Sequence, residues 1–267
     1  MLLLGFVLLS SASYAASVGQ WYGTTGTEIW STSSNYSSIY AAATVAGHSF
    51  DPTAEFISQQ SLAGNTHFII SNPGAAAQAS EIGALGNWVR GGGNLLVFAN
   101  PDGTTPYGSV YNALFINSIL SGLGSSMSVN YQTLGLGSTQ VHGTLGGADS
   151  SVLGIQGGGL AANNIYPVMG GMSVAIGGAL LPYMVQYQNL DAGRIYVIGG
   201  NIAANSVISE GSNRQFLLNL LGTGSGFGGG GGGSSDPFAD APEPGTIALT
   251  AVGLLGALAV QRRRKKA

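Results

Sequence analysis

A strand–helix–strand pattern in residues 67–100 constrains the fold of this chain more than any other feature. Residues 67–72 (HFIISN) form a nearly continuous apolar run, which is typical of a strand buried on both faces. Residues 79–90 then repeat apolar side chains at helical spacing, with Ser80 placed to cap the helix and glycines to end it. A second buried strand, residues 94–100 (NLLVFAN), follows. The three elements predict one right-handed crossover unit of about 30 residues.

Two further elements follow this unit along the chain. Residues 110–124 predict a second helix. Its spacing places four apolar side chains on one face: Tyr111, Leu114, Phe115 and Ile119. Residues 127–132 alternate between apolar and polar side chains, as a half-buried strand does.

The remainder of the body, residues 134–222, completes the fold prediction. Glycine is so frequent in residues 134–178 that only short strands and loops are expected there. Residues 180–201 predict two strands joined by a turn, and residues 213–222 predict a closing helix. Residues 17–221 are therefore expected to form an α/β domain with a mostly parallel, doubly wound (flavodoxin-like) sheet and a glycine-rich β insertion.

Charge and cysteine content exclude several functions. Residues 17–222 carry three arginines, no lysine and eight acidic residues, so the body has no basic face with which to bind nucleic acid. Cysteine is absent, which removes disulfides, thiolate nucleophiles and zinc–thiolate sites. No cofactor motif and no metal-ligand spacing is present, so the sequence predicts neither a cofactor nor a metal.

The first residues have the pattern of a secretory signal peptide. An apolar run at residues 2–9 precedes small residues and a site of the A-x-A type, which predicts cleavage near Ala15 or Ala16 and a signal peptide over residues 1–16. No Lys or Arg precedes the apolar run, which departs from the usual pattern. Signal peptidase is the expected partner of this segment.

The last residues predict a membrane-anchored tail. Residues 246–260 are apolar or small throughout and have no polar face, so they predict a transmembrane helix near the lower length limit. Basic residues beside a membrane span stay on the cytoplasmic side, so the body should lie outside the cytoplasm. The basic residues concerned are Arg262, Arg263, Arg264, Lys265 and Lys266. Residues 222–241, rich in glycine and serine, are expected to be a flexible linker.

Residues 242–267 resemble a known sorting signal. Pro242, Glu243 and Pro244, then a short apolar helix, then a terminal basic cluster occur in the order of the PEP-CTERM signal of exopolysaccharide-producing Gram-negative bacteria. The resemblance implies that an exosortase processes the tail and passes the protein to the cell surface or extracellular matrix. Exopolysaccharide is then a candidate partner.

The body resembles the class I glutamine amidotransferase-like superfamily. The resemblance rests on HFIISNP, on the helix that ends in WVRGGGNLLVFAN, and on GRIYVIGGN with the closing NRQFLLNLL. In that superfamily the turn after the second of these strands carries a nucleophilic cysteine. Here the turn reads Asn100, Pro101, Asp102, Gly103, so the resemblance implies the fold without the catalysis.

Ligands of open α/β sheets bind beyond the carboxyl ends of the strands. Four polar residues end candidate strands there and are the predicted ligand-binding residues, although each is also suited to capping a turn. They are Asn72, Asn100, Asp102 and Asn201.

The sequence leaves three functions open. The leading prediction is a non-catalytic surface or matrix protein, because no catalytic motif is present. An envelope hydrolase of glycan or ester bonds would need Asp102, or a serine (Ser71 or Ser109) with His142. The third is a small-ligand binding domain. His48 and His67 are interpreted as structural.

Overall fold

A nine-stranded sheet forms the centre of the domain in the part of the chain that this computed structural model describes. The structure describes residues 15–21, 23, 28–100, 109–131, 141–145, 159–162, 165–177 and 183–222, all within one compact unit of residues 13–232. The strands are β1 (Ser17–Trp21), β2 (Ser49–Phe50), β3 (His67–Ser71), β4 (Asn94–Phe98), β5 (Ser128–Val129), β6 (Val141–Leu145), β7 (Gly159–Ala162), β8 (Val168–Met169), β9 (Met172–Gly177), β10 (Tyr183–Leu190) and β11 (Gly193–Ile198). The helices are α1 (Ser37–Val45), which follows a 3-10 turn (Ser34–Tyr36), α2 (Gln59–Leu62), α3 (Ala79–Arg90), α4 (Ser109–Gly122) and α5 (Asn213–Gly222).

The sheet has a parallel half and an antiparallel half, in the order β2-β1-β3-β4-β11-β10-β9-β6-β7. The first five strands of this order are parallel and, counted along the chain, follow the flavodoxin-like order 2-1-3-4-5. Strands β10, β9, β6 and β7 continue the sheet with antiparallel pairings. The prediction of an α/β fold with a parallel central sheet is confirmed, and described residues of the glycine-rich segment supply β6, β7 and β9.

Helices cover both faces of the parallel half because its strands are apolar on both faces. One core packs Ile69 of β3 and Leu96 of β4 against α1 and α5. The other packs Phe68 and Ile70 of β3 against α2, α3 and α4. All five residues of β3 are buried, as the uninterrupted apolar run predicted. The domain is therefore doubly wound.

The ends of two helices differ in detail from the sequence prediction. Helix α3 begins at Ala79, and Glu81 rather than Ser80 holds its start, because the Glu81 carboxylate accepts hydrogen bonds from the backbone N–H of Gln78 (2.7 Å) and of Ile57 (2.9 Å). In α4, Ile119 is buried as predicted, but the exposed fractions of Tyr111 and Leu114 are 50% and 45%.

The turn between β10 and β11 brings two backbones into close contact. Asp191 adopts φ 52°, the left-handed conformation that tight turns require. At Gly193, an added Cβ would overlap the carbonyl oxygens of Val89 and Gly93, so a residue without a side chain is needed where β11 passes the end of α3. The hairpin that the sequence predicted through residues 189–193 is confirmed.

Several predicted segments lie outside the described residues. These are nearly all of the signal peptide (1–16), most of the linker (222–241) and the whole tail (242–267) with its predicted helix 246–260. Of the helices that the structure does describe, none combines the length and the apolar character needed to cross a bilayer.

Candidate functional site

Three of the four predicted ligand-binding residues lie at the carboxyl edge of the parallel strands. Asn72 follows β3, Asn100 lies two residues after β4, and Asn201 lies three residues after β11. The fourth, Asp102, lies outside the described residues. The edge between β1 and β3 is where the strand order reverses, and this is the place at which doubly wound folds bind ligands.

Asn72 and Asn100 contact each other directly. The backbone N–H of Asn100 donates a hydrogen bond to Oδ1 of Asn72 (2.8 Å), and the backbone N–H of Asn72 donates to the carbonyl of Phe98 (3.1 Å). Asn72 has φ 41°, a left-handed conformation that asparagine adopts more readily than most residues. Both side chains are 2% exposed. The two strand ends are thus joined by the amide side chain of Asn72.

Glu28, which the sequence prediction did not include, connects these strand ends. Its Oε2 accepts a hydrogen bond from the Ser71 hydroxyl (2.8 Å), and its Oε1 accepts one from Nδ2 of Asn100 (2.8 Å). Glu28 is partly exposed, whereas Ser71 and Asn100 are buried. The carboxylate therefore bridges the ends of β3 and β4 from the segment that follows β1.

Tyr36 joins Asn201 to the same group. Nδ2 of Asn201 donates a hydrogen bond to the Tyr36 hydroxyl (2.9 Å), and the backbone N–H of Ala204 donates to Oδ1 of Asn201 (3.1 Å). Burial raises the pKa of Tyr36 well above its usual value, and the nearby charge of Glu28 raises that pKa further. The phenol therefore keeps its proton and can donate a hydrogen bond to Glu28.

Three buried N–H groups, one in β1, one in the segment that carries Glu28 and one at the end of β3, have no hydrogen-bond acceptor among the described residues. They are Nε2 of Gln20, Nε1 of Trp30 and Nδ2 of Asn72. These side chains are 2%, 1% and 2% exposed, respectively. Oε1 of Gln20 accepts a hydrogen bond from the Ser31 hydroxyl (3.3 Å), so only the nitrogen of that amide is unpaired. A buried donor without a partner costs about 1 to 3 kcal/mol.

The described geometry does not assemble the serine–histidine pair that a hydrolase would need. The Ser71 hydroxyl donates a hydrogen bond to Oε2 of Glu28. His67 begins β3 and His48 accepts a hydrogen bond from the Ala16 N–H, so both lie at the opposite edge of the sheet from Ser71. Burial lowers the pKa of His67 to about 4, so this side chain is neutral at physiological pH.

His142 and Ser109, the other candidates for a hydrolase, do not form a described serine–histidine pair either. His142 lies in β6, five strands from β3 in the sheet, which corresponds to roughly 24 Å at the usual strand spacing. Ser109 is the first residue of α4, and its side chain is not described.

The sequence carried a weak signal for Glu28 and Tyr36. Both lie in the polar segment after β1, which has no apolar periodicity, and β1 itself is too short to be recognised beside the signal peptide. Once β1 is placed beside β3, the rule that ligands bind beyond strand ends points to this segment.

The comparison with family models identifies the tail. Residues 240–265 match the PEP-CTERM protein-sorting motif. The match includes Pro242, Glu243 and Pro244 and confirms the sorting signal that the sequence predicted. It covers the tail only, so it places the chain among proteins with this sorting motif without assigning a family to the body. The search of curated proteins gave no significant match.

Solved structures resemble the body at low sequence identity. The N-terminal domain of mmIFT52 has a TM-score of 0.60 at 15% identity, over 78% of this chain and 97% of that one. The cytoplasmic protein STM1381 from Salmonella typhimurium LT2 has a TM-score of 0.53 at 8% identity, over 77% of this chain and 98% of that one. The cytoplasmic protein STM3548 from Salmonella typhimurium has a TM-score of 0.51 at 9% identity, over 77% and 97%. These likenesses show the fold alone, and the resemblance to the amidotransferase-like superfamily stays a prediction.

Proposed function

We propose that this chain is an exported protein that an exosortase sorts to the cell surface or exopolysaccharide matrix, and that its α/β body binds a ligand there without catalysis. The match of residues 240–265 to the sorting motif carries the proposal. The rest of the tail agrees with it, because an apolar segment at 246–260 followed by basic residues has the charge order of a span whose body faces outward.

The start of the domain suggests where signal peptidase cuts. Ala15 is exposed, whereas Ala16 is 2% exposed and its carbonyl accepts a hydrogen bond from the backbone N–H of Ser49 (2.9 Å). Cleavage after Ala15 would leave this buried residue in place at the edge of the sheet. Cleavage after Ala16 would remove it together with its contact to His48. We therefore favour Ala16 as the first residue of the exported protein.

A binding role for the body is supported by how its polar groups are used. Glu28 accepts hydrogen bonds from Ser71 and Asn100, so the serine that a hydrolase would use as a nucleophile is held by a carboxylate rather than activated by a histidine. The buried N–H groups of Gln20, Trp30 and Asn72 have unmet hydrogen bonds that a ligand entering the site would make. The rival function, an envelope hydrolase, requires either that Glu28 act as the base for Ser71 or that the segment containing Asp102 supply the reacting group.

The intact mass of the surface-exposed protein tests the sorting proposal. The expected protein lacks both the signal peptide and the tail. Replacing Pro242, Glu243 and Pro244 by alanine should leave an uncut protein in the membrane, whereas Pro237→Ala, just outside the matched residues, should not. A surface protein that retains residues 246–267 would refute exosortase processing. Hydrolysis of a glycan or ester by the purified protein, lost in Ser71→Ala, would refute the non-catalytic role.

A further inference from the structure

The three tryptophans of the chain differ in how their indole N–H groups are used. Trp21 donates to the carbonyl of Glu55 (3.1 Å), and Trp88 donates to the carbonyl of Asn65 (3.2 Å). Trp30 is 1% exposed, and its Nε1–H has no acceptor among the described residues. Its ring packs edge-on against Phe98 at the end of β4, with the ring centroids 5.4 Å apart. Trp30 therefore lies at the candidate site with a buried donor that the fold does not use.

The chemical type of the unpaired groups limits what the site can bind. The unpaired atoms of Gln20, Trp30 and Asn72 are all nitrogen donors, so a ligand must offer acceptor oxygens. A metal cation needs several oxygen ligands, and the unpaired atoms of this site are N–H donors, so Glu28 would be the one charged oxygen ligand among these four side chains. A cation is therefore a poor fit to this set of groups.

The negative charge of Glu28 disfavours an anionic ligand. Among the described residues the only ion pair joins Arg90 to Asp191, at the turn before β11 and thus at the opposite edge of the sheet. Hence no described cationic side chain neutralises Glu28. Placing an anionic group beside this carboxylate would bring like charges together in a partly buried setting, which is unfavourable.

We infer that the edge formed by Gln20, Glu28, Trp30 and Asn72 binds an uncharged ligand rich in hydroxyl oxygens, a neutral sugar. A sugar hydroxyl can accept a hydrogen bond from an N–H group and donate one to a carboxylate, so one ligand suits both the unpaired donors and Glu28. This inference rests on the proposed function, because it specifies the ligand of the same site.

Indole resonances provide a direct test. The full chain, labelled with ¹⁵N at the indole nitrogens and held in detergent micelles, is screened against an array of neutral and acidic glycans, and the best neutral glycan is titrated by NMR. We expect the Nε1–H resonance of Trp30 to shift on binding, while the resonances of Trp21 and Trp88 stay in place because their donors are occupied. Trp30→Phe assigns the resonance.

A matched pair of variants separates ligand contact from folding. Trp30→Phe removes the N–H and keeps an aromatic ring against Phe98, and it should weaken glycan binding about tenfold. Trp88→Phe removes an N–H that has a protein partner away from the site, and it should leave glycan affinity unchanged.

Each other outcome overturns the inference in a distinct way. Binding of acidic glycans only, or a Trp30 shift with calcium chloride alone, would refute a neutral ligand and leave a binding function standing. Binding of neutral glycans with no change at Trp30 would place the ligand elsewhere. No binding to any glycan would remove the sugar site, whereas the mass of the surface protein would still decide the sorting proposal independently.

Discussion

Replacing Glu28 tests whether one carboxylate holds the carboxyl edge of the sheet together. In Glu28→Ala, the Ser71 hydroxyl loses its acceptor and Asn100 loses the hydrogen bond from its Nδ2 to Glu28; both residues are buried, with exposed fractions of 8% and 2%. Loss of an acceptor by a buried donor costs about 1 to 3 kcal/mol. We therefore expect the free energy of unfolding to fall by about 3 kcal/mol.

Glu28→Gln should have a smaller effect because it keeps the shape of the side chain. The remaining oxygen can still accept from Asn100, and the Ser71 hydroxyl can rotate to accept from the new amide nitrogen. What is lost is the strengthening of these hydrogen bonds by the negative charge, which amounts to about 1 to 2 kcal/mol in total. The order of stability should be wild type, Gln, then Ala.

Urea unfolding followed by tryptophan fluorescence measures these differences. Glu55→Gln is the matched control, because Glu55 is exposed and its described contact is through its backbone carbonyl, so its stability should change by less than about 0.5 kcal/mol. In a double-mutant cycle, Glu28→Ala and Ser71→Ala should couple by about 1 kcal/mol. If Glu28→Ala proved as stable as wild type, or if Gln and Ala were equally destabilising, the bridging role of Glu28 would be wrong.

Three further variants test the fold around the site. Burial lowers the pKa of His67 to about 4, below its ordinary 6.5. The free energy of unfolding should therefore be highest above pH 6.5 and fall by about 3 kcal/mol as the pH drops towards 4, because the buried ring must then take up a proton. His67→Gln should flatten this part of the pH profile measured by urea unfolding, and an unchanged slope would contradict the assignment. Gly193→Ala should destabilise the domain by about 3 kcal/mol, because its Cβ would overlap backbone carbonyls. In Gly83→Ala, within α3, the added Cβ meets no atom within 4 Å, so this variant should raise the melting temperature. Equal effects of the two variants would refute the close contact between β11 and the end of α3. Asn205→Ala removes three side-chain hydrogen bonds to the 3-10 turn and the start of α1. It should lower the free energy of unfolding by about 1 to 2 kcal/mol and speed amide hydrogen exchange in α1. Unchanged exchange in α1 would show that these hydrogen bonds do not hold the helix.

The parallel half of the fold could be predicted because its strands are buried on both faces. A strand such as β3, with helices on either side, must be apolar at every position, and this leaves an uninterrupted run in the sequence. Helix α4 was harder because apolar residues occur around most of its circumference. Its pattern does not distinguish the buried Ile116 and Ile119 from the exposed Tyr111 and Leu114, and Asn112, 0% exposed, would be expected on the outside.

The site could be predicted only where it depends on strands that the sequence reveals. Asn72 and Asn100 follow β3 and β4, so their proximity follows from parallel pairing alone. Glu28 follows β1, whose five residues contain two polar ones and lie next to the signal peptide. Without β1, nothing in the sequence places Glu28 beside Ser71, which is 43 positions away. The gap in the predicted site therefore follows from a missed strand, not from an unusual side chain.

Asn72 shows why capping a turn and binding a ligand are not exclusive roles for a strand-end asparagine. Its Oδ1 accepts from the backbone of Asn100 and so holds the turn, while its Nδ2 is buried without an acceptor among the described residues. A side chain needed only for the turn could be aspartate, which has the same acceptor and also tolerates a positive φ. Aspartate would, however, set a second carboxylate beside Glu28 and would remove the donor. The amide at this position meets both the requirement of the turn and that of a site which offers N–H groups around a single negative charge.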